Sequence, residues 1–362
     1  MLYHFLYPLK EYWGFLNIFK YITFRSVGSS VTAFVICMVF GNLIIKFLSS
    51  LGAIESTSRE HAPELDSLYQ HKHSIPSMGG VLIIFSILVA NILWGNFESK
   101  YLIFVLVVTV WLGLVGFIDD FVKVKTKKSR GIPAVIKLIG QLVLGILLGV
   151  YLYYDTDYQK VLYFPFVKKY VLYLGFLFIP FVVIVIVGAS NALNITDGLD
   201  GLAIGCAIIV SATFSIISYV SGHYNFASYL NIIYIPQSGE LAVFCASLVG
   251  AGVGFLWFNS FPATVFMGDT GSLSIGGAVG AVALFIKKEL VLLIVGGIFV
   301  WEALSVILQV LSFKIRGKRI FRMAPFHHHL QLKGWHESKV TVRLWIIGFI
   351  LALIGLASLK LR

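Results

Sequence analysis

Tyr101-Leu-Ile-Phe-Val-Leu-Val-Val-Thr-Val-Trp-Leu-Gly-Leu-Val-Gly-Phe-Ile118 runs for eighteen residues without a charge and then stops at Asp119-Asp120. As a helix it matches the roughly 30 Å thickness of a bilayer's hydrocarbon core. Working outward, similar apolar runs recur at 24–49, 78–95, 133–154, 171–189, 202–220, 239–257, 271–286, 289–313 and 340–359. Together they predict an all-α polytopic membrane protein of about ten transmembrane helices, a single integral membrane domain over residues 1–362. The whole chain is 58% hydrophobic and only 12% charged, where a soluble domain carries about 25% charged residues. The aromatic first twenty residues, interrupted by Lys10, Glu11 and Lys20, read as an interfacial segment with no signal-cleavage pattern.

Ten spans sort the loops into two sets. Loops 51–77, 119–132, 190–201, 258–270 and 314–339 carry fourteen Lys and Arg, and the opposite loops carry six. The positive-inside bias therefore puts the first set in the cytoplasm and both termini on the periplasmic side. The net charge of +11 gathers in short loops, chiefly 123–130 and 314–322. That distribution fits anionic membrane lipid and not nucleic acid. Cys37, Cys206 and Cys245 lie in apolar runs at unrelated spacings, which gives neither a disulfide framework nor a zinc site.

The polar residues segregate with the basic loops. Asp119 and Asp120 close a span, where acids can mark the water boundary or supply a hard-cation or proton-transfer site, one touching Mg²⁺ while its neighbour faces substrate or lysine. Asn191-Ala-Leu-Asn-Ile-Thr-Asp-Gly-Leu-Asp-Gly201 combines Asn191, Asn194, Asp197 and Asp200 with glycines that can turn amides toward an anion; a capped polar turn reads equally well. Asn259 precedes Met267-Gly-Asp-Thr-Gly-Ser272, which sets Asp269 between glycines, either as an unobstructed metal ligand or as a helix cap. His327-His-His329, beside Lys333, cannot all face one metal from a helix, but their imidazoles can donate to phosphate oxygens. Tyr69-Gln-His-Lys-His-Ser-Ile-Pro-Ser-Met-Gly-Gly80 adds Lys72 just before a span. The active site is thus expected at the cytoplasmic face.

These five segments, in order over nearly the whole chain, resemble the phospho-N-acetylmuramoyl-pentapeptide transferase family of the polyprenyl-phosphate N-acetylhexosamine-1-phosphate transferase superfamily. Asp119-Asp120, 191–201 and 267–272 match the superfamily; His327–His329 and the Lys72 segment resemble the muramoyl-pentapeptide branch, with Ser77 where that branch more often has Thr. The resemblance implies a homodimer in the bacterial cytoplasmic membrane that depends on Mg²⁺. It implies transfer from UDP-N-acetylmuramoyl-pentapeptide to undecaprenyl phosphate, giving lipid I and UMP for peptidoglycan synthesis. It further implies Asp269 as the Mg²⁺ ligand, with Asp119, Asp120, Asp197 and His328 as catalytic residues. Lys72, Lys123, Asn191, Asn194, Asp200, Asn259, His327 and His329 would bind substrate.

Two other readings compete. A sister enzyme would load N-acetylglucosamine-1-phosphate, against which the histidine run and the Lys72 segment speak. A secondary transporter would place ionisable residues near mid-span. Lys46 and Glu302 are the main charges read inside spans, and Glu302 is assigned no catalytic role.

Overall fold

Backbone N–H and C=O groups inside a bilayer must be paired within the protein, and this chain pairs them in helices. The computed structural model describes residues 2–53, 75–126, 131–156, 158–167 and 171–360. Short helical turns over Leu2–Leu6, Tyr7–Glu11 and Gly14–Lys20 lead into α1 (Ile22–Ser50), α2 (Gly80–Trp94), α3 (Lys100–Thr126) and α4 (Ala134–Tyr154). A hairpin of β1 (Val161–Tyr163) and β2 (Val171–Tyr173) follows, antiparallel with Leu162 opposite Leu172. The remaining long elements are α5 (Phe178–Thr196), α6 (Leu202–Ser221), α7 (Gly239–Asn259) and α8 (Gly268–Phe285). Then come α9 (Glu289–Val295), α10 (Gly297–Arg316), α11 (Phe326–Gln331) and α12 (Glu337–Ala357).

Among the described residues eight helices are long and apolar enough to cross a membrane. The protein is a multi-pass membrane protein. Of the ten expected runs, the other two correspond to α2, with fifteen residues, and to α8. Every residue of α8 from Thr270 to Phe285 is buried. Its neighbours are helices and not lipid, which is why a segment rich in Gly, Ser and Thr can occupy the interior.

The structure corrects the sequence reading in three places. The run at 171–189 begins as strand β2, and α5 starts only at Phe178 after Gly175 turns the chain with φ +53°. The run at 289–313 is two helices, α9 and α10, divided at Gly296. The acids and amides placed in loops lie on helices that outrun their apolar stretch: α3 continues through Asp119 and Asp120 to Thr126, α5 through Asn191 and Asn194, and α7 through Asn259.

Close helix contact is set by glycine. A Cβ on Gly80 would overlap the backbone of Gly271, one on Gly116 the carbonyl of Asp269, and one on Gly276 the backbone at Ala189. These contacts press α2, α3 and α5 onto α8, and small residues are what allow such approach in lipid. At the end of the bundle away from Asp269, Arg25 donates to both oxygens of Glu240 (2.8 and 2.5 Å), and the Asn96 N–H adds a third bond to that carboxylate (2.9 Å). The three cysteines are buried and unbridged.

Candidate active site

The last turns of α3, the first turn of α4 and the start of α8 meet around three carboxylates. One oxygen from each of Asp119, Asp120 and Asp269 can be chosen so that all lie within 4.8 Å of one another. Asp120 faces the N-terminus of α8: its Oδ2 accepts from the N–H (2.9 Å) and hydroxyl (2.7 Å) of Thr270, and its Oδ1 from the Asp269 N–H (3.2 Å). A carboxylate there satisfies helix N–H groups that have no partner in their own helix. Asp119 accepts from the Ile132 N–H (2.9 Å), which ties the end of α3 to the chain entering α4. Gly268, at φ +71°, turns the chain beside Asp120 where a Cβ would collide with the carboxylate.

Two lysines hold this negative charge together. Lys123 lies 2.9 Å from Asp119, 3.5 Å from Asp120 and 3.4 Å from Asp269. Lys137 lies 3.1 Å from Asp119 and donates to Asp269. The Asp119 side chain is 1% exposed and that of Asp269 14%, with Lys137 at 25%, so Asp269 and Lys137 form the open lip. Lys137 is absent from the sequence-derived residues. The signal was present, because it is the only charged residue in the twenty-one of α4, and an ionisable group in a span points to function.

The second motif joins through Asn194, which donates to Asp269 (3.0 Å) and to the Ser272 hydroxyl (2.8 Å). Asn191, one turn earlier, donates to Gln141 of α4 (2.8 Å). Asp197 follows the end of α5 at φ −77°, ψ 57°, and the Gly198 N–H bonds back to the Thr196 carbonyl (2.8 Å). This is an inverse γ-turn centred on Asp197. Asp200 is buried and accepts from the Ala263 N–H, while its own N–H donates to Glu337. Asn259 is also buried, accepting from the Gly201 N–H and donating to the Val265 carbonyl. Asp200 and Asn259 therefore brace the loops from within.

The three histidines occupy successive positions of α11, where the His327 and His328 rings meet edge to face with centroids 4.2 Å apart. His327 is fully buried against Gly198, His328 is buried with Nδ1 2.9 Å from Gln331 Oε1, and His329 is half-buried with Nδ1 accepting the Arg322 N–H. Burial, together with Lys333 and Arg322, pulls the His329 imidazole below its usual value, which favours that accepting form. Lys72, expected at the site, lies outside the described residues. The chain just after it does reach the site: the Gly79 and Gly80 N–H groups donate to the carbonyls of Phe266 and Met267, immediately before Gly268.

An apolar groove of about 300 Å³ lies between α5, α8, α9 and α10, lined by Phe181, Val185, Ala189, Leu293, Phe299 and Leu304 among others. Its α5 wall reaches Ala192 and Leu193, directly before Asn194. A lipid chain in the groove would thus have one end beside the acids.

A sequence profile of glycosyl transferase family 4 matches residues 102–287, the stretch that holds all three carboxylates. The chain is 49% identical over 362 residues to the phospho-N-acetylmuramoyl-pentapeptide-transferases of Citrifermentans bemidjiense and Pelobacter propionicus. It is 49% identical over 365 residues to that of Thermodesulfovibrio yellowstonii. Each match covers 100% of both sequences.

Proposed function

This chain belongs to the phospho-N-acetylmuramoyl-pentapeptide-transferase family, and from that premise we propose that it transfers phospho-N-acetylmuramoyl-pentapeptide from UDP-N-acetylmuramoyl-pentapeptide to undecaprenyl phosphate. Lipid I remains in the membrane and UMP leaves. The observation that carries the chemistry is the cluster of Asp119, Asp120 and Asp269 bridged by Lys123 and Lys137.

The donor set suits Mg²⁺, a hard cation that takes carboxylate oxygens. Asp269 would hold it, since the Asp120 oxygens already serve α8. Bound there, the cation would neutralise charge on the donor pyrophosphate. An oxygen of the lipid phosphate attacks the sugar-linked phosphorus, and the bond from that phosphorus to the UMP oxygen breaks. A phosphate monoester has its second pKa near 6, so the nucleophile is largely ionised at neutral pH and needs no strong base. Asp119 orients it, and Lys123 and Lys137 present cationic ends to the anionic reactants. The apolar groove suits the tail of the acceptor. A covalent Asp197 intermediate is the rival route, which rapid-quench trapping of a phosphosugar-linked enzyme without acceptor would reveal.

We place the site at the cytoplasmic face of a bacterial inner membrane, with ten passes and both chain ends outside, on the strength of the loop charge bias. Association as a homodimer is a further part of this reading and rests on family resemblance alone. The test is UMP release from the muramoyl donor in detergent. Wild type should be active, and Asp269→Ala and Asp119→Asn should lower kcat by about a hundredfold or more. Preference for a UDP-N-acetylglucosamine donor would move the protein to the sister class, and flux in proteoliposomes without UMP release would make it a transporter.

A further inference from the structure

Glu302 sits within α10 with no exposed surface, and its carboxylate meets the histidine loop. Its Oε2 accepts the His327 N–H (3.3 Å) and lies 3.2 Å from His327 Nδ1, within ion-pair reach though off the line of a hydrogen bond. His327 is equally buried, and among the described residues neither of its ring nitrogens nor Glu302 Oε1 has a hydrogen-bond partner. Polar atoms so placed are costly to bury and are retained where they fix an arrangement. The far edge of the ring answers what is fixed. Nε2 rests on Gly198 so tightly that a Cβ at that residue would overlap it. Gly198 is the residue after Asp197 and supplies the N–H that closes the γ-turn.

We infer that Glu302 is a positioning residue: it sets the orientation of the His327 imidazole, which buttresses the Asp197-Gly198 turn and so aims the Asp197 carboxylate at the reacting phosphates. The carboxylate lies on the Nδ1 side of the ring, leaving Nε2 to face Gly198. His327, too enclosed to bind donor directly, acts as the strut. Gly198 is required because the ring occupies the space of a side chain. The inference rests on the transferase reading above and concerns how one of its acids is held.

The experiment compares Glu302→Gln, His327→Asn and the double variant with wild type, in detergent, by UMP release and thermal unfolding. Glu302→Gln keeps shape and one acceptor oxygen but removes the charge. It is expected to lower kcat by about tenfold or more while donor KM stays within about threefold, a split that a loss of folded protein alone would not produce. In the His327→Asn background the same change is expected to add nothing, because both residues act through one contact. Wild-type kcat and KM in Glu302→Gln, or effects that multiply in the double variant, would overturn the inference. Should Glu302→Gln fail to fold, Gly198→Ala displaces the ring without touching Glu302 and should give the same drop in kcat; an unimpaired Gly198→Ala enzyme would refute the strut. Absence of UMP release in wild type would instead defeat the transferase reading itself.

Discussion

Lys137 supplies the lesson at the scale of single residues. Its ammonium joins Asp119 to Asp269 from a helix that no motif marks, and a lone lysine at the end of an apolar run is easily taken for a boundary charge. Replacing it with Met should reduce UMP release by about a hundredfold, in line with loss of one preorganised charge contact, a loss larger than any fall in the folded fraction measured by thermal unfolding. Asp120 is the opposite case. Its oxygens satisfy three donors at the start of α8, so Asp120→Ala should destabilise the protein by about 0.5–2 kcal/mol, as loss of a helix cap does. Thermal unfolding in detergent measures that cost, with an activity loss beyond the folded fraction assigning Asp120 a further part in the reaction. The sequence exposed all three acids because charge at a span end is conspicuous. It could not separate Asp120, Asp200 and Asn259, whose polar atoms face inward to backbone, from Asp269 at the open lip.

Among the elements, α3 and α8 make the site by touching. Gly116 lets the two backbones meet one turn before Asp119 and Asp120, and the contact atom on α8 is the carbonyl of Asp269. Gly116→Ala should therefore push the two acids of α3 away from Asp269, lowering both the unfolding midpoint and kcat; a wild-type unfolding midpoint and rate would show that the helices yield without cost. Hydropathy located the membrane-embedded part of most helices because it reports where lipid ends. It does not report where helical hydrogen bonding ends, and so α3, α5 and α7 run past their apolar stretches and carry Asp119, Asn194 and Asn259 on rigid backbone instead of loops. The division at Gly296 was equally hidden, since both flanking segments are apolar.

For the whole molecule, the segregation of basic loops gives an orientation that can be measured directly. Cys37, Cys206 and Cys245 are buried, so an impermeant maleimide should leave the native protein unlabelled. Lys318→Cys and Tyr224→Cys both lie on exposed positions at opposite ends of the bundle. On intact spheroplasts only Tyr224→Cys should react, and Lys318→Cys should react after the membrane is opened; the reverse pattern would invert the proposed topology. The groove between α5 and α10 carries one more consequence. Its volume of about 300 Å³ admits only the first few isoprene units of a long polyisoprenoid, and the remainder must stay dissolved among the acyl chains. The enzyme would then grip its acceptor by the neck and have no ruler for its length, so shortened isoprenols should turn over almost as well as the full chain provided their terminal phosphate is kept.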